Sequence, residues 1–227
     1  MIASSVDSGI PALADPAHIE ALRNIVTPHL SDNLDRLSGI RGLTPYHDGT
    51  KLVGTAFTVK CRAGDNLYIY QALTMLRPGH VLVIDGSGHL DNALVGELIK
   101  CYAQQRGCVG LVVDGAIRDI KAFAEDSFPC YGRGSIHRGP YKNGPGALNV
   151  PVCVGGQVVS PGDIVVGDED GLVTFAQSEA PALIEAAKAS FRKEAGIMEE
   201  ISSGQHYQHW LDAVLISKGL EYGEAHA

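Results

Sequence analysis

The sequence is poor in several features that would place it in common functional classes. Only 6% of its 227 residues are aromatic, and one is tryptophan. Basic residues are outnumbered by acidic ones, giving a formal net charge of −8. A surface of that sign repels a phosphate backbone, which argues against a general nucleic-acid binder. No apolar run approaches the length of about 20 residues that a membrane span needs. The opening Met1-Ile-Ala-Ser-Ser-Val-Asp-Ser-Gly9 lacks a basic region followed by an apolar stretch, so the expectation is a cytoplasmic protein with no membrane partner. The five cysteines (Cys61, Cys101, Cys108, Cys130, Cys153) are odd in number and hold no CxxC pair. That pattern disfavours a disulfide framework or a zinc cage and favours reduced thiols packed as small buried hydrophobes. Internal repeats and low-complexity segments are also missing.

What is present is enough for a core. Hydrophobic residues make up 45% and charged residues 19%, and a chain of this length buries about 70% of its unfolded surface. One domain is expected over 1–227, with a core at about 30–177 and a helical extension at about 178–218. Asp15-Pro16 reads as an N-cap with proline in the first turn, opening a helix over about Pro16–Val26. A second short helix is expected around Asp32–Leu37, a strand over Thr55–Cys61 and a helix over Asn66–Leu76.

The most informative stretch follows. Val81–Ile84 is a short apolar run ended by Asp85-Gly86, and Cys108–Val113 is another, ended by Asp114-Gly115. Helical periodicity over Asp91–Arg106 lies between them. Strand, helix and strand at this spacing form a βαβ unit, whose two strands read as a parallel pair buried on both faces. Ligands bind beyond the carboxyl ends of such strands. Past residue 127, glycine and proline punctuate the chain. Val152–Val154, Gln157–Val159, Asp163–Val166 and Leu172–Phe175 read as an antiparallel meander. Helices are expected over Glu179–Ile201 and Gln205–Lys218.

Several constellations admit both a chemical and a purely structural reading. Gly86-Ser-Gly88 follows a strand, but the third glycine of a dinucleotide fingerprint would fall at Asp91, and no helix start follows in the usual place. Gly96-Glu-Leu-Ile99 has two readings. If the helix begins near Gly96, the free amides of Leu98 and Ile99 point into the pocket and favour a carboxylate there. If Asp91 caps the helix instead, Gly96 is only a close-packing point. Arg118-Asp119 also has two readings: a guanidinium fork beside a hard oxygen ligand for Mg²⁺ or Mn²⁺, or an N-cap of a short helix Ile120–Glu125 with a surface neighbour. The histidines, His137, His206 and His209 among them, show no metal-ligand spacing. Nothing in the sequence around Lys60 marks it as a Schiff-base lysine.

Taken together, Asp85-Gly-Ser-Gly88, Gly96-Glu-Leu-Ile99, Gly110-Leu-Val-Val-Asp-Gly-Ala-Ile-Arg-Asp119 and Pro161-Gly-Asp-Ile-Val-Val-Gly-Asp-Glu-Asp-Gly171 resemble the RraA-like family over roughly residues 30–200. That family holds 4-hydroxy-4-methyl-2-oxoglutarate aldolases, oxaloacetate decarboxylases and a regulator that binds a ribonuclease. The resemblance implies an α/β fold of the swivelling β/β/α type with C-terminal helices, and a homotrimer or homohexamer with active sites at subunit boundaries. Aldolases of the family carry an acidic residue, twenty residues, then Arg-Asp. Here Glu97 takes the acidic position, where Asp is common, and Arg118-Asp119 complete the set.

The resemblance further implies a role for each residue. Gly96, Glu97, Leu98 and Ile99 would line the pyruvyl end of a 2-oxo acid substrate, with Arg118 binding the same end. Asp119 would hold a divalent cation (Mg²⁺ or Mn²⁺), and Glu97 and Arg118 would be catalytic. The regulator branch is understood to lack the full acidic–Arg–Asp set, so an enzyme is favoured over a non-catalytic partner of a ribonuclease.

Overall fold

The computed structural model describes residues 9–205 and 208–220. Its first half runs α1 (Pro16–Arg23), α2 (Thr27–Asp32), β1 (Thr44–Pro45), β2 (Leu52–Cys61), α3 (Leu67–Leu73), β3 (His80–Val95), α4 (Glu97–Gln105), β4 (Gly110–Ile117) and α5 (Ile120–Ala124). The second half runs β5 (Cys130–Ser135), β6 (Gly146–Leu148), β7 (Val152–Val154), β8 (Gln157–Val159), β9 (Ile164–Asp168), β10 (Gly171–Phe175), α6 (Ala180–Ser202) and α7 (His209–Ser217).

The central strands are apolar on both sides, so period-two alternation feeds two cores at once. Phe57, Val59, Leu82, Ile84, Leu111 and Val113 pack with Ile99, Ala103 and Phe123 from α4 and α5. Their neighbours Ala56, Val81, Val83 and Val112 pack with Val152, Val154 and Val159 from β7 and β8. The result is three layers: helices, one large sheet and a small antiparallel hairpin. The sheet order is β1-β5-β4-β3-β2-β9-β10, with β6 beside β2. β2, β3, β4 and β5 are mutually parallel, and β9 joins β2 antiparallel. A third cluster joins Leu22, Ile25 and Leu30 to Ile164, Val166, Phe175, Leu183 and Ile184. Two compact units are separable, Met1–Lys188 and Ala189–Ala227. The described part of the second holds the end of α6 and α7. Among the described residues no helix is long and apolar enough to cross a membrane.

The βαβ unit is present, and Asp15 caps α1 by accepting from Ala17 N at 2.8 Å. Four expectations are corrected. The second helix occupies 27–32 rather than 32–37, because Asp168 captures the Thr27 amide and hydroxyl and so fixes its start. Left-handed backbone at Asp35 and Arg36 then excludes a helix over 33–37. The strand expected to stop at Ile84 continues to Val95, so the helix expected from Asp91 starts at Glu97. The meander is divided: β7 and β8 form their own sheet, while β9 and β10 extend the main one. Finally, Cys61, Cys108 and Cys130 are buried, but Cys101 and Cys153 are exposed. Burial pushes the Cys61 thiol up to about 12 and the Cys108 thiol to about 11, so both stay protonated. The short strands β1, β5 and β6 were not anticipated, and His206 lies outside the described residues.

Asp168 anchors one side of the fold. It accepts from Thr27 N at 2.8 Å, from Thr27 Oγ1 at 2.5 Å and from Lys51 Nζ at 3.1 Å, with its side chain 6% exposed. Burial raises its pKa, but these donors outweigh burial and hold it below the ordinary 3.8. A carboxyl whose native pKa is lowered stabilises the fold fully above its unfolded value and loses that contribution as pH falls through the native value. Asp168→Asn is therefore expected to cost about 3 kcal/mol at neutral pH, with the gap to wild type narrowing below pH of about 4. Urea unfolding of both proteins from neutral to acid pH checks this; a gap independent of pH contradicts it.

Candidate active site

Parallel pairing sets β3 and β4 side by side, with Val95 opposite Ile117 at their carboxyl ends. The next residue on one strand is Gly96, and the next two on the other are Arg118 and Asp119. Arg118 N donates to Val95 O at 2.9 Å, which ties the two strand exits together. Gly96 is the N-cap of α4, and Lys100 N to Gly96 O is the first full helical bond, at 3.1 Å. The amides of Glu97, Leu98 and Ile99 therefore lack intrahelical acceptors and point toward the strand ends. The reading in which the helix opens at Gly96 is the one observed; Asp91 lies within β3 and caps nothing.

Asp119 occupies the N-cap position of α5 in a left-handed conformation (φ 56°, ψ 38°), yet its side chain makes no capping bond there. Its Oδ2 instead accepts from Glu97 N at 3.1 Å, across the gap to α4. An aspartate held left-handed and turned from its own helix bears a conformational cost, and such costs collect at functional sites. Arg118 Nε lies 3.7 Å from the same carboxylate oxygen, and the two side chains are 40% and 44% exposed. Gly96 is required by this approach: a Cβ there would overlap Asp119 Oδ2 and come within 3.0 Å of Arg118 Cγ. The six anticipated residues thus converge at the carboxyl ends of the two interior strands β3 and β4. Glu97 and Leu98 are exposed, and Ile99 is buried with its amide in the first helical turn.

The chemistry available is specific. One cation, a row of free amides and a helix N-terminus favour a carboxylate ligand. Asp119 offers a half-exposed hard oxygen. Among the described residues no group of three or more His, Cys, Asp or Glu side chains converges to enclose a metal. That donor set does not suit zinc, which wants three or four protein ligands. It suits Mg²⁺, which keeps most of its waters and takes one or two carboxylates plus groups of the substrate.

The cleft between α4 and the β4 exit is narrow, with about 30 Å³ of internal space. On the other side of Arg118 and Asp119 lies a depression of about 350 Å³, lined also by Ile120, Ser135, Ile136 and His137. Sequence reasoning missed Asn66, Tyr70 and Lys142, which line the narrow cleft. They carried no motif, since each comes from a segment distant in sequence from both strand ends. Lys60 lines neither space and is exposed. A further hollow of about 270 Å³ lies near the amino ends of the parallel strands, where Lys51 and Asp126 already have ionic partners.

Comparison with known proteins adds to this geometry. A family model described as RraA-like, Aldolase/RraA, matches residues 27–174. A protein of Halalkalibacterium halodurans named "Putative 4-hydroxy-4-methyl-2-oxoglutarate aldolase" is 37% identical over 171 residues, covering 75% of this chain and 81% of that protein. An uncharacterized protein from Pseudomonas syringae has a solved structure similar to this one, with a TM-score of 0.75, 31% identity and coverage of 85% of this chain and 96% of that one. Streptomyces coelicolor RraAS2, titled an unusual member of the RNase ES inhibitor RraA protein family, aligns with a TM-score of 0.72 and 28% identity, covering 81% of this chain and 96% of that one.

Gly96→Ala tests the packing directly. The variant is expected to fold, losing about 1–3 kcal/mol to overpacking, and to displace the Asp119 carboxylate from the Glu97 amide. A crystal structure of the variant checks this; an unmoved carboxylate contradicts it.

Proposed function

The chain belongs to the RraA-like family, and on that footing we propose that it is a divalent-metal-dependent aldolase. It cleaves a 4-hydroxy-2-oxo dicarboxylic or tricarboxylic acid, such as 4-hydroxy-4-methyl-2-oxoglutarate, to pyruvate and a second 2-oxo acid, and it decarboxylates oxaloacetate as a side activity. The observation that carries this reading is the meeting of Arg118, Asp119 and the free amides of Leu98 and Ile99 at the carboxyl ends of β3 and β4, with Glu97 beside them.

In this account the amides of Leu98 and Ile99 bind the C1 carboxylate of the substrate, aided by the dipole of α4. Asp119 would hold Mg²⁺ or Mn²⁺, which when bound would supply Lewis-acid polarisation of the 2-oxo group. Arg118 places positive charge where the 2-oxo oxygen becomes an enolate oxygen. Cleavage removes the C4 hydroxyl proton, breaks C3–C4 and leaves the bond's electron pair on the pyruvyl half as an enolate. Protonation at C3 then gives pyruvate. Glu97 is exposed and adjacent, and it orients or shares the water that carries the proton. Its extra methylene over Asp moves that water by about 1 Å, which adjusts rate rather than reaction type. Loss of CO₂ from oxaloacetate yields the same enolate, so one site serves both reactions. We further propose that the working form is a homotrimer or hexamer and that it acts in the cytoplasm.

A second reading is a non-catalytic regulator that binds a ribonuclease, favoured by the likeness to Streptomyces RraAS2. Pyruvate release from oxaloacetate and from 4-hydroxy-4-methyl-2-oxoglutarate, coupled to lactate dehydrogenase, separates the two. The aldolase account predicts metal-dependent pyruvate formation above the rate with metal alone, silenced by EDTA and restored by Mg²⁺ or Mn²⁺. Arg118→Ala and Asp119→Ala are each expected to lower kcat at least about 100-fold at saturating metal. Turnover indifferent to chelator, or unchanged in Arg118→Ala, contradicts the account. No turnover together with a stable ribonuclease complex supports the regulator.

A further inference from the structure

A buried lysine ties together the two helices that begin at the site, and the account above leaves it unused. Lys100 lies one turn after Glu97 on α4, and its side chain is 7% exposed. Its Nζ donates to Ala122 O of α5 at 2.6 Å and to Asp126 Oδ2, just past α5, at 2.7 Å. The same ammonium stands 5.6 Å from the centre of the buried Phe123 ring. Asp126 is held from further sides. Gln104 Nε2, one turn later on α4, donates to its Oδ2 at 3.1 Å, and Phe128 N donates to its Oδ1 at 3.0 Å. The hydrogen bond from Lys100 holds the Asp126 carboxyl below its ordinary value, so the pair stays ionic.

These bonds run beside the one at the site. Glu97 N donates to Asp119 Oδ2 at 3.1 Å, and three residues further along each segment Lys100 Nζ donates to Ala122 O. The two contacts are joined at both ends. Lys100 N donates to Gly96 O at 3.1 Å, and Ala122 N donates to Asp119 O at 2.9 Å. Gly96, Glu97 and Lys100 thus close a ring of hydrogen bonds with Asp119 and Ala122. Stability alone does not account for the charge in this ring. An apolar side chain of similar volume stabilises such a position as well as a buried ion pair does, or better. What the ammonium adds is a directional hold on the one turn of α5 that begins at Asp119.

We propose that Lys100 is a positioning residue for this site: by holding the first turn of α5 against α4, it keeps the Asp119 carboxylate aimed across Gly96, where a divalent cation would bind. Lys100 lines neither of the two spaces beside Arg118 and Asp119, so it acts only through α5. Asp119 and Ala122 belong to one turn, and a turn released at Ala122 O carries Asp119 with it. A displacement of about 1 Å is enough to loosen a ligand from its productive place. The consequence for turnover rests on the aldolase reading, whereas the hold on Asp119 is a property of the chain by itself.

Lys100→Met keeps most of the side chain's length and removes its charge and donors. In a crystal structure of this variant grown without metal, Asp119 Oδ2 is expected more than about 3.5 Å from Glu97 N, beyond hydrogen-bond reach. With oxaloacetate, the Mg²⁺ concentration giving half-maximal rate is expected to rise about 10-fold, while KM at saturating Mg²⁺ changes less than about 3-fold. Lys100→Arg retains charge and donors and is expected to keep both properties near wild type. Asp126→Asn alters a more exposed residue and is expected to move the carboxylate and the Mg²⁺ requirement in the same direction, so it decides the matter if Lys100→Met folds poorly. Asp168→Asn, destabilised on another side of the fold, separates positioning from stability, since it is expected to leave both unchanged. An Asp119 carboxylate still on the Glu97 amide in the Lys100 and Asp126 variants, or an equal Mg²⁺ shift in Asp168→Asn, overturns the positioning role. Wild-type protein that turns over neither oxaloacetate nor 4-hydroxy-4-methyl-2-oxoglutarate overturns the aldolase reading, and the crystal structures then still decide whether Lys100 places Asp119.

Discussion

The parallel pairing of β3 with β4 is the constraint on which the site depends. It matches Val95 to Ile117, and so brings the start of α4 within one hydrogen bond of the residue that follows Arg118. That bond, from the Glu97 amide to Asp119, crosses between segments twenty-two residues apart. The two apolar cores on either face of the sheet hold these strands rigidly, and the chemistry is left to the exits. Gly96 permits the approach, and the left-handed turn at Asp119 aims the carboxylate across it rather than along α5.

Rigidity of the frame and openness of the site are compatible here because they belong to different parts of the strands. Residues 81–84 and 111–113 are fully buried, whereas Arg118 and Asp119 retain about two-fifths of their side-chain exposure. A partly exposed carboxylate and guanidinium would keep the water that the proposed Mg²⁺ site needs, while the amides of α4 contribute fixed positive character without adding a second cation. In the proposed aldolase reading, α4 and Arg118 take the pyruvyl half of the substrate.

Much of this frame was legible in the sequence, for identifiable reasons. The apolar runs Val81–Ile84 and Cys108–Val113, each closed by Asp-Gly, announce buried parallel strands, and Asp15-Pro16 announces a helix start. The errors came where distant contacts decide local structure. Residues 86–95 read as turn and helix because Asp91 looks like a cap. In the fold they follow β4 with three register shifts, held by Ala93 N to Arg138 O and by Asn66 on Leu94 O. The second helix moved because Asp168, over a hundred residues away, claims Thr27. Glu97, Arg118 and Asp119 were marked by their resemblance to motifs of the RraA-like family, and the fold brings them together at the ends of β3 and β4. Asn66, Tyr70 and Lys142, which also line the narrow cleft, were not marked, since each comes from a segment distant in sequence from both strand ends.

The most direct test is a crystal structure of the protein with Mg²⁺ and oxalate, a mimic of the pyruvate enolate. The account predicts a six-coordinate ion with Asp119 as its side-chain ligand and water and oxalate completing the shell, and oxalate oxygens on the Leu98 and Ile99 amides and on Arg118. An empty cleft under saturating conditions, with Asp119 still engaged only by the Glu97 amide, would contradict it.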